Sequence, residues 1–124
     1  AGGALSCTSV TYFLVESSSF FSCKTSSTEG GIYFNGGQCV LHEVCGYDCY
    51  ITTDWDIHFA YIGVNNAISS KNYINYSSIS CSVNEITESW YSFYLFYGKF
   101  FCPSDNISMN KCYGRTVYCY PFSD

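Results

Sequence analysis

Ile32-Tyr33-Phe34-Asn35-Gly36-Gly37-Gln38-Cys39-Val40-Leu41-His42-Glu43-Val44 is the stretch on which the reading of the fold turns. Ile32–Phe34 is β-branched and aromatic, and Asn35-Gly36 follows it. Both of these residues accept positive φ, so the pair predicts a two-residue hairpin turn. Gln38–Val44 then serves as the return strand, although Gln38–Cys45 has room for a turn or two of helix. Read this way, the stretch makes neighbouring strands antiparallel.

The rest of the chain carries the same strand signals. Thr8–Val15 is β-branched and aromatic. Trp55–Val64 alternates, with Trp55, Ile57, Phe59 and Tyr61 on one face and Asp56, His58 and Ala60 on the other. Asn65-Asn66 suits a turn. Tyr73–Val83 reads as one long strand. Trp90–Tyr97 and Phe100–Cys102 flank Gly98-Lys99, which suits a type II′ hairpin with glycine in the first turn position. Thr116–Tyr120 closes the chain before Pro121. Beyond Gln38–Cys45 only Asn84–Ser89 offers a helical turn, and no segment sustains a 3.6-residue apolar period. The fold class expected is all-β, a disulfide-rich sandwich or barrel-like fold in a single compact domain over residues 1–124.

Nine cysteines in 124 residues set the stabilisation expected of that domain. A cytosolic chain rarely carries so many, because the reducing pool keeps thiols free. No Cys-x-x-Cys pair is present, and His42 and His58 are the only histidines, so zinc ligation is poorly served. Eight cysteines fall into two sets of four, Cys7, Cys23, Cys39, Cys45 and Cys81, Cys102, Cys112, Cys119, each expected in disulfides. The two sets span 38 positions each, with gaps of 16, 16 and 6 against 21, 10 and 7. Flanking residues also align: Ser6-Cys7 with Ser80-Cys81, Phe20-Phe21-Ser22-Cys23 with Phe100-Phe101-Cys102. This suggests internal repeats over 5–50 and 79–122, joined by a bridging strand over 51–78. Cys49 has no counterpart and is expected to be unpaired or intermolecular, unless it bridges and leaves Cys45 free.

The net charge of −5, with five basic residues, argues against nucleic acid, whose phosphates need Lys and Arg clusters. No apolar run approaches the 18 or so residues of a membrane span. The start of the chain has no charged and apolar leader, so it reads as mature. Asn75-Tyr76-Ser77 and Asn106-Ile107-Ser108 are glycosylation sequons, with Asn75 and Asn106 as acceptors. Cysteine usage and sequons together point to an extracellular protein, secreted or surface-exposed.

Cys39-Val40-Leu41-His42-Glu43-Val44-Cys45 resembles the active-site segment of secreted phospholipases A2, Cys-x-x-His-Asp-x-Cys. The resemblance implies His42 as general base for water and residue 43 as a calcium ligand, in a family built on disulfide-linked helices. Glu43 stands where the family has Asp, and Gly30-Gly31 lies about 11 residues before His42 where the family's calcium loop lies about 15 before. The ordinary reading keeps His42 and Glu43 as polar residues between two structural cysteines. Asp54, Asp56 and His58, spaced i, i+2, i+4, read as the solvated face of a strand, with a cation site as the sharper alternative. No Gly-x-Ser-x-Gly elbow occurs. We therefore expect no enzyme, no catalytic residue, no metal site and no cofactor.

Trp90-Tyr91-Ser92-Phe93-Tyr94-Leu95-Phe96-Tyr97 is uncharged and aromatic on both faces. It reads as a strand buried on both sides or as a contact surface, with Trp90, Tyr91, Phe93, Tyr94, Phe96 and Tyr97 at the interface. The function expected is an extracellular structural or assembly protein, a subunit of a surface layer, filament or coat that self-associates. The alternative is a secreted recognition module that binds a host protein or glycan through exposed aromatics.

Overall fold

The computed structural model describes residues 3–26, 30–52, 57–64, 71–80, 89–108, 110 and 112–120, with the backbone alone for residues 57, 58, 71, 89, 90 and 112–114. Among the described residues, fifteen strands and no helix make up the fold. The first coil of chain holds β1 (Leu5–Thr8), β2 (Tyr12–Glu16), β3 (Ser19–Phe21) and β4 (Lys24–Thr25). The second holds β5 (Ile32–Gly36), β6 (Gln38–His42), β7 (Cys45–Tyr47) and β8 (Tyr50–Ile51). The third holds β9 (Ile57–Val64), β10 (Lys71–Asn75) and β11 (Ser78–Ser80). The fourth holds β12 (Ser89–Phe96), β13 (Lys99–Phe101) and β14 (Asn106–Ser108), and β15 (Cys112–Tyr120) begins the next.

Each strand pairs with its equivalent in the coil above or below, and every pairing is parallel. Sheet A runs β1-β5-β9-β12-β15, sheet B β13-β10-β6-β2, sheet C β14-β11-β7-β3, and sheet D β4-β8. The molecule is a parallel β-solenoid. Ser19, Cys45, Ser78 and Asn106 lie in one register row, so the steps from 19 to 45, 45 to 78 and 78 to 106 give coils of 26, 33 and 28 residues. Parallel neighbours need a crossover of a dozen or more residues; here the rest of each coil supplies it, as strands rather than a helix.

This corrects the sandwich or barrel expectation, and Asn35-Gly36 shows why it failed. β5 runs through both residues, neither has positive φ, and β5 pairs with β1 and β9 rather than with β6. The glycines serve close approach instead. Gly37 N–H donates to Val10 O at 2.8 Å and Gln38 N–H to Thr11 O at 2.8 Å, so the first coil's corner rests on this backbone, and a Cβ at Gly37 would collide with the Thr11 carbonyl. Gln38–Val44, read as a strand with room for a helical turn, is strand over β6, but it leads to β7 of the next sheet rather than back along β5. Gly98 has φ +82°, yet it turns the chain from sheet A to sheet B, not into a hairpin. Tyr73–Val83 breaks at a corner between β10 and β11. Asn65-Asn66, Asp54 and Asp56 lie outside the described residues.

The core is a set of rows running along the solenoid. From sheet A come Leu5, Ile32, Ala60 and Phe93, and beside them Cys7, Phe34, Ile62 and Leu95, each row continuing in register to the exposed Val117 and Cys119 of β15. Sheet B contributes Val15, Leu41 and Ile74, and sheet C Phe20, Gly46, Ile79 and Ile107. Ile32, Phe34, Phe59, Ala60 and Ile62 are completely buried. Each such large side chain contributes on the order of 1.5–3 kcal/mol through removal from water. The predicted alternation over 55–64 breaks because β9 holds one more residue than β12 between their Ile57–Tyr91 and Ala60–Phe93 pairs. At this bulge Phe59 and Ala60 are both buried, and Tyr61 passes to the outer face. The extra ring fills the interior at Gly46, where a Cβ would overlap it.

Corners repeat with the coils. Ser17, Glu43, Tyr76 and Ser104 each precede a sheet C strand by two residues, and all have left-handed φ, 45°, 53°, 54° and 58°. Ser22 and Asp48 do the same before sheet D, at 50° and 54°. A single left-handed residue thus turns the chain into sheet C at four levels and into sheet D at two. Buried polar groups complete the corners. Cys39 N–H donates to Asn72 Oδ1 at 2.9 Å, and Asn72 Nδ2 donates to Lys99 O at 3.1 Å, so one buried amide joins three coils.

Candidate functional site

The outer face of sheet A carries one continuous row: Ser6, Tyr33, Tyr61, Tyr94 and Tyr118. Alternation along β5 puts Tyr33 outside between buried Ile32 and Phe34. The bulge in β9 brings Tyr61 into line, and β12 and β15 supply Tyr94 and Tyr118. Ring centroids are 5.1 Å apart for Tyr33–Tyr61, at 18° between planes, and 5.6 Å for Tyr61–Tyr94, at 6°. Tyr94–Tyr118 follows at 5.3 Å and 42°. The spacing tracks the ~4.8 Å between neighbouring strands, so the row is a stacked ladder. Gly63 makes room for it: a Cβ there would press on the Tyr61 ring.

A second row flanks the ladder. Asn35, Gly63, Phe96 and Tyr120 are in register, Phe96 lies 5.2 Å from Tyr120, and Tyr97 packs on both. On the other side Tyr91 stacks on Tyr118 at 4.7 Å and 19°. Arg115 lies 5.6 Å from the Tyr118 ring and is the one charged side chain of sheet A among those described. Burial, and then the surrounding phenols of Tyr118, Tyr91, Tyr120 and Tyr97, raises the Tyr94 pKa above the usual tyrosine value. Sheet B adds a shorter apolar row, Leu14, Val40, Tyr73 and Phe101, whose last two rings stack at 5.3 Å.

Of the six expected interface residues, Tyr91, Tyr94 and Phe96 lie on this outer face, half-buried, and Tyr97 lies at its edge. Phe93 is 1% exposed and packs 5.3 Å from Phe59 in the core. The Trp90 side chain is outside the described residues. Tyr33, Tyr61, Tyr118 and Tyr120 were not anticipated, because steps of 28, 33 and 24 residues along the ladder form no fixed period in the sequence.

Seven cysteines are described, and none is disulfide-bonded: Cys7, Cys23, Cys39, Cys45, Cys49, Cys102 and Cys119. Cys81 and the Cys112 side chain lie outside the described residues. Cys39 and Cys49 are buried, and burial pushes both thiols up to about 12. Cys45 is exposed on the outer face of sheet C. Cys102 and Cys119 are exposed, and burial of its sulfur lifts Cys102 to about 11.

The Cys39–Cys45 segment is strand, corner, strand, where the phospholipase resemblance implied a helix. His42 faces outward, with Nδ1 3.0 Å from Asn75 Oδ1, Nε2 3.7 Å from Glu43 Oε1, and its ring edge-on to Tyr76. Ser17 Oγ donates to Glu43 Oε2 at 3.0 Å. This is a polar stack across three coils. The second sequon acceptor, Asn106, is exposed on β14. No cluster of three metal-ligating side chains occurs among the described residues, and none of the described helices is long and apolar enough to cross a membrane, there being none. Comparisons with protein-family models, curated proteins and solved structures return no match.

Proposed function

We propose that this protein is an extracellular structural subunit that self-associates through the outer face of sheet A. The observation that carries the reading is the Tyr33-Tyr61-Tyr94-Tyr118 ladder on a face with a single charge among the described side chains. A solenoid presents an extended, regular surface because each coil repeats the one before. A face whose rows repeat at the strand spacing matches another face of the same repeat, which a second copy provides; side-chain rows of equal period interdigitate as dry contacts. Nine cysteines and two sequons support an extracellular setting.

The ring geometry favours self-association over glycan stacking. Tyr61 is covered on both faces by Tyr33 and Tyr94, so a sugar ring finds edges rather than an open aromatic platform. Sedimentation velocity across a hundredfold concentration range tests the proposal. Wild-type protein should shift to larger species with concentration, and the double variant Tyr61→Lys, Tyr94→Lys should remain monomeric with an unchanged far-ultraviolet spectrum. A wild-type monomer at every concentration would overturn it, as would a variant that still assembles.

A further inference from the structure

We propose that Cys23 and Cys49 form a disulfide that staples the first coil to the second at the corner entering sheet D. The register sets the geometry. Lys24 pairs with Tyr50 and Thr25 with Ile51, and Tyr50 N–H donates to Cys23 O at 3.0 Å. Cys23 and Cys49 thus stack one step ahead of that pairing. Stacked residues on neighbouring strands lie about 4.8 Å apart, inside the roughly 4.4–6.8 Å that a disulfide spans between Cα atoms. The two side chains are near enough that Cys23 acts directly on the Cys49 thiol, and the Cys23 thiol donates to Phe21 O at 3.6 Å. Cys49 is fully buried and Cys23 half-buried against the core. The Cys49 thiol is further fixed by Phe20 O at 3.3 Å and Tyr47 O at 3.4 Å.

The chemistry needs a disulfide oxidant, and oxidised glutathione serves. The more accessible Cys23 thiolate attacks one glutathione sulfur, forms a mixed disulfide and expels one glutathione thiolate, which takes up the Cys23 proton. Cys49, deprotonated, then attacks the Cys23 sulfur and expels the second glutathione thiolate, which takes up the second proton. Two protein thiols and one oxidised glutathione become one protein disulfide and two reduced glutathiones. Burial holds the Cys49 thiol up at about 12, which keeps its thiolate fraction small and slows this second attack in the folded protein. The pairing removes Cys49 from the role of unpaired or intermolecular cysteine and leaves that role to another residue.

The full chain, folded in a glutathione redox buffer, alkylated in denaturant without reduction and digested with trypsin plus a protease cutting after Asp and Glu, tests the proposal by mass spectrometry. Cleavage after Glu16, Glu43 and Asp48 separates Cys23 from Cys7, and Cys49 from Cys39 and Cys45. The expected product is a linked peptide joining residues 23 and 49, with neither cysteine alkylated. In Cys23→Ala, Cys49 should become fully alkylated. Cys49 alkylated in the wild type, or linked to any other cysteine there, would overturn the pairing. So would a Cys23→Ala protein in which Cys49 stays protected.

Discussion

Asp105 is the residue at which the corner chemistry is least satisfied. Its Oδ1 accepts the Ser77 N–H at 2.8 Å, while its Oδ2 is buried without a partner. Burial raises its pKa above the ordinary 3.8, and the Ser77 N–H opposes that rise. The folded state therefore keeps the proton to higher pH than the unfolded chain does. Stability contributed by this group is present below the ordinary aspartate value and is lost as pH rises through the raised one. Asp105→Asn keeps an acceptor for Ser77 and removes the charge. Thermal midpoints measured from pH 3 to 7 should fall less steeply with rising pH in the variant, which should be the more stable protein at pH 7. A wild-type advantage at pH 7 would contradict this. Asp48 has the opposite sign: the Ser22 hydroxyl at 2.7 Å, and then Lys24, hold its pKa below the usual carboxylate value, so its contribution is lost on acidification.

At the scale of elements, the described corners into sheets C and D each turn on a single left-handed residue, and none of these is glycine. A left-handed conformation costs a non-glycine residue roughly 1–2 kcal/mol. Ser104, at φ 58° and exposed, bears that cost at the corner between β13 and β14. Ser104→Gly relieves it, less about 0.5–1 kcal/mol of glycine backbone entropy, so its denaturant midpoint should match or exceed the wild type. Ser104→Val, β-branched at positive φ, should lose on the order of 1 kcal/mol or more. Equal midpoints for the two variants would remove the left-handed corner from the account. The same chemistry explains what the sequence displayed and what it hid. Strand positions were legible because Ile32–Phe34, Trp90–Tyr97 and Thr116–Tyr120 are β-branched and aromatic. Their connectivity was not, because Glu43 and Tyr76 carry none of the usual marks of a turn, a serine corner such as Ser17 does not say which strand comes next, and Asn35-Gly36, the strongest turn signal, lies within a strand. The bulge at Phe59 hid the face of Tyr61 in the same way, since one extra residue reverses the alternation.

At the scale of the whole molecule, rows along the solenoid organise both the core and the surface. The inner row of Cys7, Phe34, Ile62 and Leu95 and the outer row of Ser6, Tyr33, Tyr61, Tyr94 and Tyr118 are consequences of one register. Half of the candidate site was readable in β12, whose uncharged aromatic run is contiguous in sequence. The other half comes from β5, β9 and β15, and only coil stacking brings it alongside. Such stacking makes nearly every backbone pairing non-local in sequence and leaves little between adjacent strands of one coil. Cross-strand nuclear Overhauser effects between backbone protons read this connectivity directly. The account predicts contacts joining β5 to β1 and β9, with Tyr33 ring protons near those of Tyr61 and Tyr61 near Tyr94. Contacts pairing β5 with β6 across an Asn35-Gly36 hairpin would contradict it.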